Sequence, residues 1–161
     1  MELTYYTDYA LRVLMYAGLR QDKLCQIFEI AGHYNISENH LMKVVHGLAQ
    51  GGFVLTYRGR GGGLTLAKDP KEIIIGAVVR HMEGPFKPVE CFRTGNRCAI
   101  TGACDLPDIL EEAFQALIAV LDRYTLADLL ERRTHLAHRL FGPTRSRERA
   151  ARKIIPPLAS G

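Results

Sequence analysis

Three of the four cysteines in this 161-residue chain, Cys91, Cys98 and Cys104, fall within fourteen residues. The segment that holds them, Glu90-Cys-Phe-Arg-Thr-Gly-Asn-Arg-Cys-Ala-Ile-Thr-Gly-Ala-Cys104, has no apolar periodicity that would bury them as core. In a reducing compartment stable disulfides do not persist, and a thiol cluster of this kind more often binds metal or does redox chemistry. Thiolates are soft ligands that suit iron–sulfur clusters, zinc and copper(I). The gaps of six and five residues are wider than the two-residue gaps of zinc knuckles and ribbons. Spacing alone does not select the metal. Gly95 and Gly102 let the loop fold around a bulky centre, and Arg93 and Arg97 would offset the negative charge of thiolates.

Three cysteines leave a four-ligand site one ligand short. Asp8, His81, Glu90, Asp105 and Asp108 are the candidates for the fourth place, and residue type does not rank them. A ligand weaker than thiolate would leave an iron open to a small molecule. Cys25, beside apolar residues in a predicted helix, reads as a small core residue.

The elements that position this loop can be read from periodicity. From Thr7 as N-cap to Arg20, the residues Ala10, Leu11, Leu14, Ala17 and Gly18 lie near one face at helical spacing. A second helix is predicted from about Cys25 to His33, ending at Tyr34-Asn35-Ile36. Ser37 then offers an oxygen to the free amides of a third, in which Leu41, Val44, Val45 and Leu48 repeat at i, i+3, i+4 and i+7 before Gly51-Gly52. Its other face presents Glu38, Asn39, Lys43 and His46. Two short helices joined by a few residues fit a helix-turn-helix.

Two β-rich runs, Phe53–Tyr57 and Leu64–Ala67, flank Arg58-Gly59-Arg60-Gly61-Gly62-Gly63 and predict a hairpin with a basic tip. The tip is no phosphate-cradling loop of the Walker kind, since it lacks a Gly-Lys-Ser/Thr ending and opens no helix. Beside a recognition helix, such a hairpin can reach the minor groove or the phosphates. The order predicts a mainly α fold with a small β wing, a winged helix-turn-helix that binds double-stranded DNA.

Asp69-Pro70 starts a further apolar helix that ends near Glu83-Gly84-Pro85, and the cysteine segment follows as a loop. Pro107 then suits the first turn of a long helix whose stripe is Leu110, Phe114, Leu117 and Leu121. Thr125 with Asp128 resembles a capping box that restarts or bends it. The predicted organisation is a winged helix-turn-helix domain over 1–83, a cysteine loop over 84–106, a dimerisation helix over 107–133 and a basic, disordered tail over 134–161. A two-fold symmetric protein reads two half-sites about one helical turn apart, which is the use of such a helix.

The charge pattern agrees. The net charge of +4 divides into +3 over residues 1–104, −6 over 105–131 and +7 over 132–161, a distribution that suits a polyanion partner. With 47% hydrophobic and 24% charged residues, wholesale disorder and a fibrous repeat are excluded. No apolar run approaches the ~18 residues of a membrane span, and Met1–Asp8 does not read as a secretory signal; a cytoplasmic protein is expected, with no membrane partner. No convergent acid/base constellation suggests an enzyme.

Five motifs in this order resemble the IscR-like winged-helix iron–sulfur transcriptional regulators, and most of all their nitric-oxide-responsive branch. They are Leu3-Thr4-Tyr5-Tyr6-Thr7-Asp8-Tyr9-Ala10-Leu11-Arg12, Ile36-Ser37-Glu38-Asn39-His40-Leu41-Met42-Lys43-Val44-Val45, Arg58-Gly59-Arg60-Gly61-Gly62-Gly63, the three cysteines, and Tyr124-Thr125-Leu126-Ala127-Asp128-Leu129. The resemblance covers residues 1 to about 133. It implies a homodimeric DNA-binding repressor with one iron–sulfur cluster per subunit on Cys91, Cys98 and Cys104. In the IscR branch a histidine three residues after the last cysteine completes a [2Fe-2S] site; here that position is Pro107, which cannot ligate. In the nitric-oxide-responsive branch a carboxylate from the other subunit completes a [4Fe-4S] site, and Asp8 stands at the matching position. As a hard oxygen ligand among soft ones, it would be the labile corner that nitric oxide displaces. Arg12, one helical turn away, could hold or release it.

In the DNA-binding unit Ser37, Asn39, His40 and Lys43 are expected to face the major groove and Arg58 and Arg60 to reach the minor groove or phosphates. A regulator sensing iron or iron–sulfur supply would use the same cysteines. A [2Fe-2S] cluster, or a zinc-stabilised DNA-binding protein with no sensing role, is the further alternative.

Overall fold

The structure, a computed structural model, describes residues 3–142. Helix α1 (Tyr5–Leu19) starts one residue after Thr4, whose hydroxyl accepts from the Thr7 amide at 3.3 Å. The sequence places this cap at Thr7. Thr7 is instead buried within the first turn, because Thr4 is fixed from outside the helix: its amide and hydroxyl donate to Glu83 Oε1 at 2.7 and 2.9 Å.

Helix α2 (Ile27–Tyr34) opens with a reciprocal capping box between Gln26 and Glu29 and closes at Asn35, whose φ of 54° is the left-handed conformation that Asn tolerates. Cys25 therefore lies outside the helix. Its backbone pairs with Leu64 through two hydrogen bonds of 2.9 and 2.8 Å and carries the hairpin back onto the helices. The side chain is fully buried, as expected for a core residue.

Helix α3 (Glu38–Gln50) follows after three residues. Leu41, Val44 and Leu48 are wholly buried, at about 1.5–3 kcal/mol of transfer free energy each, which fixes the outward face as predicted. Ser37 is the N-cap by position, yet its hydroxyl makes no capping hydrogen bond. Strands β1 (Val54–Tyr57) and β2 (Gly63–Leu66) pair antiparallel in the register Val54 with Leu66 to Tyr57 with Gly63.

The predicted helix after Asp69 is two pieces. A single 3-10 turn, Pro70–Glu72, stands under an Asp69/Glu72 capping box, and helix α4 (Ile75–Glu83) begins after an extended Ile73-Ile74. That extended step is used: Ile75 N donates to Tyr124 O at 2.9 Å and Leu126 N to Ile73 O at 2.8 Å, tying the end of the next long helix to the DNA-binding domain.

Helix α5 (Leu106–Leu121) carries Pro107 in its first turn, as predicted. The expected run to residue 133 is interrupted after Leu121. Thr125 and Asp128 form a full capping box and start the four-residue α6 (Leu126–Leu129). Residues Arg133–Phe141 form α7, so the basic tail expected from 134 is helical over its first turns. Leu136, Leu140 and Phe141 pack on the core, and Arg133 donates to Leu19 O at 2.9 Å. The remainder of the expected tail lies outside the described residues.

Candidate metal centre and nucleic-acid interface

Helix α4 ends at Gly84, where a φ of 69° turns the chain out of the domain. The loop that follows is pinned by aromatics before it reaches the first cysteine. Phe86 stacks on Phe114 of α5 with centroids 4.0 Å apart and planes 7° from parallel, and Phe92 meets Phe86 edge-on at 5.8 Å. Cys91 lies in the short 3-10 turn Glu90–Phe92, so its backbone is held against α5 through its neighbour Phe92. This ladder has no periodic mark in the sequence. Three phenylalanines around the cysteine segment and in the helix after it were the available signal.

Beyond Phe92 the loop is held by its own polar groups. Glu90 Oε1 accepts from the Arg97 amide at 2.9 Å, Asn96 Oδ1 from the Cys98 amide at 2.9 Å, and Thr101 Oγ1 donates to Cys98 O at 2.8 Å. Gly95 and Gly102 both adopt φ of 84°, the left-handed turns that a residue with a side chain would resist. Cys91 and Cys104 are half-buried, Cys98 is exposed, and all three are free thiols.

Three free thiols on a loop that turns at glycines between them are of the chemical type that a soft metal centre takes, but the structure does not bring them together. Among the described residues, no three His, Cys, Asp or Glu side chains stand close enough to hold a metal ion. Cys25 is different in kind. Burial pushes its thiol up to about 11, which keeps it protonated at neutral pH and unsuited to bind metal.

The other candidates for the fourth place have distinct surroundings. Asp8, in the first turn of α1, is held by Arg12 through Nε to Oδ1 at 2.9 Å and Nη2 to Oδ2 at 2.6 Å. The Arg12 guanidinium lies 5.8 Å from the ring centres of both Tyr9 and Tyr34. His81 is engaged elsewhere, with Nε2 at 2.8 Å from Gly47 O. Glu90 accepts from the loop backbone, and Asp105 and Asp108 are exposed at the start of α5.

Ser37, Asn39, His40 and Lys43 are all exposed on or beside the first turns of α3. Arg58 and Arg60 are exposed at the wing tip, where Gly59 and Gly61 adopt φ of 98° and 83°. None of the six makes an ion pair among the described residues, which leaves their polar ends available to a phosphate or a base edge.

The helix expected to join two subunits presents a different stripe from the predicted one. Leu110, Phe114, Leu117 and Leu121 are half-buried, and the first three line a groove of about 580 Å³ with Leu3, Phe86 and Pro88 of the same chain. Among the exposed residues of α5, Leu106, Ile109, Ala113, Ala116 and Val120 recur at alternating spacings of three and four. No described helix is long and apolar enough to cross a membrane.

Residues 3–132 match the Rrf2 family, described as iron-dependent transcriptional regulators. The chain is similar to the HTH-type transcriptional regulator NsrR of Geobacillus kaustophilus, 51% identical over 138 residues that cover 84% of this chain and 94% of that protein. To NsrR of Bacillus subtilis it is 53% identical over 133 residues, 81% of this chain and 91% of that one. Among solved structures it is similar to CymR, the global cysteine regulator of B. subtilis, with a TM-score of 0.66, 26% identity, and coverage of 82% of this chain and 98% of that one. IscR of T. potens has the same fold, with a TM-score of 0.65, 23% identity, and coverage of 82% and 88%.

Proposed function

The chain belongs to the Rrf2 family of transcriptional regulators, and we propose that within it this protein is a homodimeric repressor that releases its operator DNA in response to nitric oxide. Cys91, Cys98 and Cys104 of one subunit and Asp8 of the other would hold a [4Fe-4S] cluster. The cluster, when bound, supplies a centre that reacts with nitric oxide.

What carries the reading is the place of the three free thiols. They lie on the one loop that joins α4, packed on the recognition helix, to α5, whose apolar seam is exposed. The 3-4 spacing of Leu106, Ile109, Ala113, Ala116 and Val120 is that of a two-helix seam, and the alanines allow close approach. A second α5 laid on that seam gives the dimer, and it brings a second loop and a second α1 to the same end of the molecule. Pro107 at the position of the IscR-branch histidine, together with relatives near 50% identity named NsrR, favours a carboxylate as fourth ligand.

The residues of the chain then have separate tasks. The phenylalanine ladder anchors Cys91. Asp8 reaches across the interface and ties α1 of one subunit to the loop of the other, which sets the spacing of the two α3 helices for successive turns of the major groove. Arg12 competes for the same carboxylate within its own helix. Release of Asp8 lets the spacing relax; a loss of ~3 kcal/mol in placement weakens operator binding more than a hundredfold.

The family description as iron-dependent favours a second reading, in which iron or cluster supply is the signal and loss of metal rather than nitric oxide releases DNA. Anaerobic purification tests both. A brown protein that loses DNA on nitric oxide addition supports the first. A brown protein that keeps DNA under nitric oxide and loses it on chelation supports the second, and a colourless zinc protein refutes both.

A further inference from the structure

The recognition helix is held at two of its backbone carbonyls, one turn apart. Tyr6 of α1 donates its hydroxyl to Lys43 O, and His81 of α4 places Nε2 at 2.8 Å from Gly47 O. Lys43 and Gly47 are four residues apart, so the two oxygens lie on one line along α3. Each carbonyl has a second lone pair for such a bond; Gly47 O also accepts the Gly51 amide at 3.0 Å. A carbonyl only accepts, which fixes the His81 proton on Nε2. The contact is close as well as polar. A Cβ at Gly47 would stand 3.4 Å from the Tyr6 ring and 3.3 Å from the Met82 methyl, and His81 packs edge-on against Phe53 at 5.7 Å.

The two gripping elements are themselves joined. Thr4, which caps α1, donates twice to Glu83 at the end of α4. Lys43, whose carbonyl Tyr6 holds, has its side chain exposed on the predicted DNA face. Base reading requires donor and acceptor atoms placed to within about half an ångström, whereas helices packed against one another shift by about 1–2 Å between states. Two directional bonds to its backbone resist such a shift.

We propose that Tyr6 and His81 are positioning residues that hold α3 in the orientation needed for base reading, and so set sequence discrimination rather than overall DNA affinity. The proposal uses only the DNA binding of the reading above, not its cluster. It is tested on the full chain with a duplex that the wild type selects from random sequence, measured against an unselected duplex of the same length. Tyr6→Phe keeps the ring and removes the donor; it should lower the ratio of selected to unselected affinity about fivefold, the equivalent of one net hydrogen bond of ~1 kcal/mol, and leave the unselected affinity unchanged. His81→Leu should do the same, and His81→Gln, which retains an N–H, should recover most of the ratio. Melting temperature is recorded for each, so that a folding defect, which lowers both affinities together, is separated from lost discrimination. Wild-type discrimination in Tyr6→Phe and His81→Leu, or an equal loss on both duplexes, overturns the proposal. A wild type that selects no sequence refutes the DNA-binding reading itself.

Discussion

Arg12 grips both oxygens of Asp8, with Nε 2.9 Å from Oδ1 and Nη2 2.6 Å from Oδ2. The pair is one turn apart on α1 and more than a third exposed on each side, at 38% and 41%. An exposed i,i+4 pair is worth about 0.3–0.5 kcal/mol after solvent screening. It orients the carboxylate without locking it.

Asp8→Ala should therefore cost little stability and much of the cluster. Thermal unfolding of the metal-free protein should shift by no more than the equivalent of about 0.5 kcal/mol, while the visible absorbance of the anaerobically loaded protein decays faster than in the wild type. An unchanged decay rate and an unchanged nitric oxide response would remove Asp8 from the ligand set.

The DNA face gives a contrast between two neighbours on α3. Lys43→Ala should weaken binding on all sequences and reduce the slope of log affinity against log salt by about one, as the loss of one phosphate contact does. Asn39→Ala should relax discrimination with little change on random DNA. Equal losses on cognate and random duplexes would take Asn39 off the list of base-reading residues.

Phe114→Ala removes the stacking partner of Phe86. An aromatic pair contributes about 0.5–1.5 kcal/mol beyond its buried area, so unfolding stability should drop measurably. The larger effect should fall on metal retention, because Phe86 and Phe92 hold the backbone at Cys91. A variant that is destabilised yet keeps its metal as long as the wild type would separate the ladder from the centre.

Arg80 clamps α4 to the end of α5 through two hydrogen bonds to Asp122, of 2.8 and 2.9 Å, and those bonds hold the Asp122 carboxyl below its usual range. The folded-state value is depressed, so the stabilisation is complete above the ordinary carboxylate range near 3.8 and is lost as pH falls through the lowered value. Wild type should be more stable than Asp122→Asn at neutral pH, and the difference should vanish in acid. A difference independent of pH would assign the effect to packing. The site is crowded, since a methyl at Gly76 would overlap the Asp122 carboxylate.

Most of the DNA-binding unit was legible in the sequence, because its elements are marked locally. The i, i+3, i+4, i+7 repeat of Leu41, Val44, Val45 and Leu48 fixes the buried face of α3, and the arginine-glycine tip fixes the wing. What was not legible depends on distant partners. Thr4 and Thr7 are both able to cap α1; the choice is made by Glu83, 79 residues away from Thr4. Cys25 reads as helical by its neighbours, but the bridge to Leu64 holds it extended.

The candidate metal site was half legible. Three thiols in one loop announce themselves, whereas the anchoring of Cys91 needs Phe86, Phe92 and Phe114 to meet. Helix α5 has two apolar stripes, and the sequence cannot assign inside and outside between them. The stripe with Phe114 turns inward because Phe86 is there to receive it; the one with Ile109, 60% exposed, stays on the surface.

In the proposed function, three cysteines and a carboxylate hold a nitric-oxide-responsive cluster that governs DNA binding. The direct test loads the full chain with iron and sulfide under anaerobic conditions and titrates it with nitric oxide while visible absorbance and affinity for a wild-type-selected duplex are followed together. Affinity should fall more than a hundredfold in step with the loss of the cluster absorbance. A duplex that stays bound after the absorbance has gone would contradict it.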